Sequence, residues 1–175
     1  LAQRHPDAAT ARKDSVTPFI IAEFGCCHDG DSEQAKRLIL AAKQAGASAA
    51  KGQFWSSPKR LAERRMAPEA EPTYARYQVP AEWLPELALF AQKTGIEFMA
   101  TSYLPEDVSV VAPWVNRLKV ASFEAQDLDF VRAHRPFCKQ TIVSTGLCGE
   151  EAIGRLQKLK ESDFGRWDIR FLHCI

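Results

Sequence analysis

Leu118-Lys119-Val120-Ala121-Ser122-Phe123-Glu124 is an apolar run that ends in polar groups. Three other segments share that design: Phe19-Ile20-Ile21-Ala22-Glu23, Ala49-Ala50-Lys51-Gly52-Gln53-Phe54 and Thr141-Ile142-Val143-Ser144-Thr145-Gly146. Each is a short buried-strand signal whose last residues are ionisable or hydroxylic, and a helical pattern soon follows. In a parallel α/β protein the C-terminal ends of the strands are where ligands bind. Two lysines, two carboxylates and two serines at such ends point to a site for an anionic substrate.

Outward from that run, strand and helix patterns alternate. Strands are expected at 19–24, 49–54, 96–100, 118–121, 140–144 and 169–174. Asp31 caps a helix whose inner face is Ala35, Leu38, Ile39 and Ala42, and Gly46 ends it. Pro80 opens a second helix that buries Trp83, Leu84, Leu87 and Phe90, and Gly95 stops it. Helices are also expected at 105–114, 128–134 and 149–159. Residues 55–79 read as a long loop with three prolines, and Lys59, Arg60, Arg64 and Arg65 give it the charge of a mobile rim that steers anions.

Six strands and five helices in strict alternation mean βαβ units and a parallel sheet. No glycine-rich phosphate fingerprint follows strand one, since Gly25-Cys26-Cys27-His28-Asp29-Gly30 has the wrong spacing. Functional groups ending several strands favour a (β/α)8 barrel, in which every strand points at one mouth. Such a barrel typically takes about 250 residues, so an incomplete barrel of six strands lacks roughly its last quarter. An open six-stranded remnant leaves strands one and six unpaired, an aggregation liability. The expected organisation is a polar N-terminal extension over 1–17 and the N-terminal part of a barrel over 18–175.

The bulk properties exclude several classes. The chain has 175 residues, 46% hydrophobic and 26% charged, as in ordinary globular proteins. A net charge of +1 gives no drive toward nucleic acid or an anionic membrane. No apolar run approaches the roughly 20 residues that span a bilayer. The five cysteines, Cys26, Cys27, Cys138, Cys148 and Cys174, have neither framework nor zinc-ligand spacing. They read as reduced, mostly buried thiols of a cytoplasmic protein.

Taken singly, the strand-end residues have structural explanations. Lys51 could snorkel from an edge, Glu23 could serve a structural ion pair, and Ser144-Thr145-Gly146 could be a plain turn. Taken in order, they resemble the N-terminal barrel of the sialic acid synthase family. Its Ile-Ala-Glu-Ile-Gly-x-Asn-His-Asn-Gly appears as Ile21-Ala22-Glu23-Phe24-Gly25-Cys26-Cys27-His28-Asp29-Gly30. Its Lys-Phe-Gln appears as Lys51-Gly52-Gln53, and its strand-three threonine as Thr101. Its Lys-Ile-x-Ser-Gly-Glu or Asp appears as Lys119-Val120-Ala121-Ser122-Phe123-Glu124, its Leu-Ser-Thr-Gly-Met as Val143-Ser144-Thr145-Gly146-Leu147, and its His-Cys as His173-Cys174.

The resemblance implies a homodimeric enzyme that condenses phosphoenolpyruvate with an N-acyl hexosamine, N-acetylmannosamine or its 6-phosphate, and releases phosphate. Lys119, Thr101, Ser122 and Ser144 would hold the phosphate, and Lys51 with Gln53 would meet the carboxylate side. Glu23 would act on the amino sugar or the developing tetrahedral centre. A divalent Mn2+ or Mg2+ would polarise the sugar aldehyde, but the family's metal-ligating histidines, its sugar-contacting Asn and Tyr and its C-terminal domain lie beyond strand six. His28 and His173 are therefore not assigned as ligands, and His173 reads as a packed strand-end histidine. The departures are Cys27 and Asp29 for two asparagines, Gly52 for a Phe and Phe123 for a Gly; the last two would compensate in volume if they packed together.

Two other readings stay open at this level. One is a barrel aldolase that uses Lys119 or Lys51 as a Schiff base. The other is a non-catalytic remnant that binds phosphorylated ligands or a partner.

Overall fold

The computed structural model describes residues 17–137, 140–162 and 167–174. Apart from Thr17, the expected polar extension over 1–17 lies outside the described residues, as does Cys138. Six parallel strands form one sheet: β1 (Ile21–Gly25), β2 (Ala49–Phe54), β3 (Glu97–Ser102), β4 (Arg117–Val120), β5 (Gln140–Ser144) and β6 (Asp168–Leu172). Their spatial order is their chain order, β1 to β6. A doubly wound sheet reverses direction at a switch point, so this order is that of an incomplete (β/α)8 barrel.

The described residues hold seven α-helices rather than five: α1 (Ser32–Gln44), α2 (Pro58–Arg64), α3 (Glu71–Arg76), α4 (Trp83–Thr94), α5 (Pro105–Val111), α6 (Leu128–Ala133) and α7 (Glu150–Ser162). The two additional helices, α2 and α3, lie in the stretch expected to be a loop. The prolines there start helices instead of breaking them. Pro58 stands in the first turn of α2 behind the Ser57 cap, and Pro72 stands in the first turn of α3. Leu61, Ala62 and Val79 are buried, so the segment is packed onto the barrel.

Alternation along the strands sorts side chains into two sets. The outer set, including Phe24, Ala50, Phe98, Ala100, Leu118, Val120, Val143 and Ile169, packs under the helices through Ile39, Leu84, Leu87, Val108, Val111, Phe130 and Leu156. The inner set is layered. The first residues of β3 to β6 form a polar belt: Arg117 pairs with Glu97 and donates to Gln140, and Gln140 donates to Asp168. Above it Ile21, Ala49, Met99 and Ile142 make an apolar floor. The ionisable groups stand above that floor, at the C-terminal ends. No helix among the described residues is long and apolar enough to cross a membrane.

Candidate functional site

The sheet register explains why the strand-end groups meet. Glu23 lies opposite Lys51, Gln53 opposite Thr101, and Thr101 opposite Lys119. All share the parity that faces inward. Lys51 forms an ion pair with Glu23 and donates to the Thr101 hydroxyl at 3.2 Å. Lys119 donates to Ser144 Oγ at 2.6 Å and to the Val120 carbonyl at 2.7 Å. Lys51 is 7% exposed, Lys119 6% and Thr101 1%, so two ammonium groups are held almost out of water beside one buried hydroxyl. Burial first, and then the charge of Lys51, bring the pKa of Lys119 down to about 8.

Glu23 and Gln53 complete one side of the mouth. Gly25 ends β1 with φ +50, a left-handed conformation that strains residues with a side chain. A Cβ there would sit 3.4 Å from Glu23 Oε1 and 3.6 Å from Gln53 Nε2, so the chain turns directly over both groups. Gln53 Oε1 accepts from the Cys26 thiol at 3.4 Å. Ser122 is half-buried in the turn after β4, and its hydroxyl makes no hydrogen bond among the described residues. It joins neither the Lys51–Thr101 pair nor the Lys119–Ser144 pair.

Glu124, one of the two strand-end carboxylates, and Arg65, one of the expected rim cations, meet in a pairing that the sequence does not reveal. Glu124 is 1% exposed in the turn after β4. Arg65 donates to its Oε1 from Nε at 3.2 Å and from Nη2 at 2.8 Å, and to Oε2 at 3.1 Å. The guanidinium stands between the rings of Tyr103 at 5.0 Å and Phe123 at 5.2 Å. Arg64 pairs with Asp127 and Arg60 with Glu106. Three of the four rim cations, Arg60, Arg64 and Arg65, are thus engaged with barrel carboxylates, which weakens the steering role expected of them. Charge clustering was visible in the sequence, but partners 59 residues apart were not.

Other expectations need correction. Phe123 does not fill the space over Gly52, because it stacks under Arg65 while Gly52 faces outward. A Cβ on Gly52 would meet the Phe24 ring at 2.7 Å, so Phe24 occupies the volume that the family's Phe would take. The four thiols among the described residues are not buried: Cys27 is exposed, and Cys26, Cys148 and Cys174 are intermediate. His173 is exposed rather than packed, because it lies past the last residue of β6 at the rim of the described sheet. His28 is buried, and its Nδ1 accepts from the Gly30 amide at 3.1 Å. It serves the turn after β1, and burial lowers its pKa against the opposing charge of Asp29.

Cys174 stands beside the phosphate-type donors. Slight burial raises its pKa, but a hydrogen bond with Ser144, the amides of Gly146 and Thr145 and the charge of Lys119 outweigh that and lower it. The Gly146 N–H points at its Sγ from 3.2 Å. The end of β5 is thus already a cradle for negative charge. No group of three or more His, Cys, Asp or Glu among the described residues could hold a metal ion.

The profile of the NeuB family matches residues 38–175. The pseudaminic acid synthase of Campylobacter jejuni is 34% identical over 171 residues, covering 89% of this chain and 49% of that protein. The N,N'-diacetyllegionaminic acid synthase of Legionella pneumophila is 33% identical over 156 residues, covering 81% of this chain and 43% of that protein. Among solved structures, the N-acetylneuraminic acid (sialic acid) synthetase of Leptospira borgpetersenii serovar Hardjo-bovis, in complex with citrate, superposes with a TM-score of 0.80. It is 27% identical, and the match covers 90% of this chain and 54% of that chain. The chain spans about half the length of the curated relatives it matches.

Proposed function

This chain belongs to the NeuB family, and we propose that it supplies the phosphoenolpyruvate side of a synthase that joins phosphoenolpyruvate to an N-acyl amino sugar. The observation that carries this reading is the pair of buried ammonium groups on one inner face, Lys51 bonded to the Thr101 hydroxyl and Lys119 to the Ser144 hydroxyl, with Thr101 opposite Lys119 in the register. Two cations held in a dry site suit a small ligand with both carboxylate and phosphate, and such charge-assisted bonds are the strong ones. Lys119 with Ser144, Thr101 and Ser122 would bind the phosphate, and Lys51 with Gln53 the carboxylate end. Relatives named for making pseudaminic and legionaminic acids support a nonulosonate product.

In the proposed reaction the enol C3 of phosphoenolpyruvate forms a bond to the aldehyde carbon of the sugar. Water adds at C2, the C2–O bond to phosphorus breaks, and phosphate leaves. The attacking water loses both its protons as C2 becomes a ketone: one goes to the aldehyde oxygen and the other leaves with the phosphate. Glu23, paired to Lys51 and partly open to solvent, would accept or donate such a proton or stabilise positive charge at C2. Lys119 would stabilise the charge on departing phosphate. The divalent ion expected from the resemblance finds no site among the described residues. The homodimer belongs to the same proposal and is tested by sedimentation. A phosphate-release assay with phosphoenolpyruvate and an amino sugar, run on this chain within a synthase of the relatives' full length, tests the whole reading, and the 175-residue chain alone should bind phosphoenolpyruvate without turnover. Turnover lost in Glu23→Gln, with phosphoenolpyruvate still bound, is the expected result.

One observation favours a second reading. A lysine whose pKa has been brought down to about 8 carries a neutral fraction able to attack a carbonyl, as Schiff-base aldolases require. Borohydride with pyruvate separates the two readings. A covalent adduct on Lys119 supports the aldolase, and its absence supports the synthase.

A further inference from the structure

Cys26 and Cys27 are the one pair of adjacent thiols in the sequence, and the proposed function uses neither. Cys27 stands where the family motif has asparagine, so the pair belongs to this chain and not to the motif. It lies in the turn that follows β1. The Cys27 N–H donates to the Phe24 carbonyl at 2.8 Å, and the Asp29 N–H donates to the Cys26 carbonyl at 3.3 Å. Beyond the pair, the buried His28 anchors the turn, edge-to-face with Trp83 at 5.7 Å between ring centres. The two thiols have different surroundings. Cys27 is exposed, whereas Cys26 is partly covered and donates to Gln53 Oε1 at 3.4 Å. Burial first, and then the charges of Cys27 and Glu23, push the Cys26 thiol up, so it stays protonated. An oxidant arriving from solvent therefore meets Cys27 first.

We propose that Cys26 and Cys27 are a peroxide-sensitive modification site, closing to a vicinal disulfide that takes the thiol donor away from Gln53. The Cys27 thiolate attacks one oxygen of hydrogen peroxide and the O–O bond breaks. Hydroxide leaves and takes up the proton that Cys27 lost, and Cys27 becomes a sulfenic acid. The Cys26 sulfur then attacks the Cys27 sulfur, the S–O bond breaks, and the Cys26 proton leaves with the hydroxyl as water. Two thiols and one peroxide thus give one disulfide and two waters. The disulfide has no S–H, so Gln53 Oε1 loses its partner. Adjacent Cα atoms lie about 3.8 Å apart, closer than the roughly 4.4–6.8 Å of ordinary disulfides, so the bond is strained and readily reduced by a thiol. The effect on ligand rests on the phosphoenolpyruvate reading: Gln53 belongs to the carboxylate side, and loss of its orientation should weaken binding.

Treatment of the full chain with hydrogen peroxide tests the site by three readouts. Peptide mass mapping should show two hydrogens lost from the peptide that holds both cysteines, regained with dithiothreitol. The Gln53 side-chain amide resonance should move over the same titration. Phosphoenolpyruvate affinity, measured by calorimetry, should fall roughly 2- to 10-fold, the worth of one hydrogen bond, and return on reduction. Cys27→Ser should bind phosphoenolpyruvate like the unaltered protein, form no disulfide and keep the Gln53 resonance in place under peroxide. Oxidation of Cys27 to the sulfinic acid without a cross-link overturns the proposal. So does a disulfide that leaves the Gln53 resonance unmoved, or a loss of affinity that Cys27→Ser suffers equally, since the effect then lies at another thiol. A disulfide that moves the Gln53 resonance, with phosphoenolpyruvate bound in neither state, keeps the modification site and removes the phosphoenolpyruvate reading.

Discussion

Lys119 feels the positive charge of Lys51 across the buried hydroxyl of Thr101. Burial and that repulsion together hold its pKa at about 8. A phosphate between the two lysines would relieve both effects, so binding should draw a proton onto Lys119. The affinity for phosphoenolpyruvate should be level from pH 7 to about 8 and then fall as pH rises, because the charged form is the binding form. In Lys119→Arg the fall near pH 8 should disappear, since guanidinium stays charged. Calorimetry between pH 7 and 9.5 reads this directly.

Arg65 holds a carboxylate that has almost no access to water. Removing the cation leaves Glu124 buried and uncompensated, which typically costs about 3–5 kcal/mol. Arg65→Ala should therefore lower the urea midpoint strongly, while Arg65→Lys should recover only part, because a single ammonium cannot make the forked contact. Adding Glu124→Gln to Arg65→Ala should restore stability relative to Arg65→Ala alone, and a further loss would show that the pair is not what the arginine serves.

Phe24 and Gly52 exchange volume across neighbouring strands. Gly52→Ala places a Cβ against the Phe24 ring and should destabilise by about 1–3 kcal/mol, the usual cost of overpacking. Phe24→Ile leaves space and should also destabilise. The double variant should be more stable than the sum of the two losses predicts, a coupling that a double-mutant cycle measures.

His134 is fully buried on the outer face; its Nδ1 lies 2.9 Å from the Phe130 carbonyl and its Nε2 3.4 Å from Ser102 Oγ. Burial brings its pKa from 6.5 to about 4 against the opposing backbone contacts. Between those values the unfolded chain binds a proton that the folded chain does not. Stability is therefore full above pH 6.5 and falls as pH drops toward 4, by up to about 3 kcal/mol. In His134→Gln the slope of stability against pH should flatten over that range. Chemical denaturation at pH 7, 6 and 5 gives the slope.

The barrel was legible because its strands carry their signal locally. An apolar run such as 118–121 needs no partner to be read, and the polar residue that ends it marks the mouth. The resemblance then ordered six weak motifs into one site. The α2–α3 segment was hidden because its helices are short, begin at prolines and bury few residues, so no helical period builds up. The pairing of Arg65 with Glu124 was hidden for another reason: ion pairing across 59 residues is a property of the fold and leaves no local trace. Gly52 shows a third case. The departure was visible, but its compensation by Phe24 depends on the β1–β2 register, which aligns Gly25 with Gly52 and so sets Phe24 beside it.

The central claim is that Lys119 and Lys51 together form the anion site. It is tested most directly by calorimetric titration of phosphoenolpyruvate into this protein, its Lys119→Ala and Lys51→Ala variants, and an Arg117→Met control at the opposite end of the barrel. Loss of a buried cation opposite a bound dianion should weaken binding on the order of 100-fold or more in each lysine variant, while the control binds like the unaltered protein. Unchanged affinity in Lys119→Ala would contradict the account.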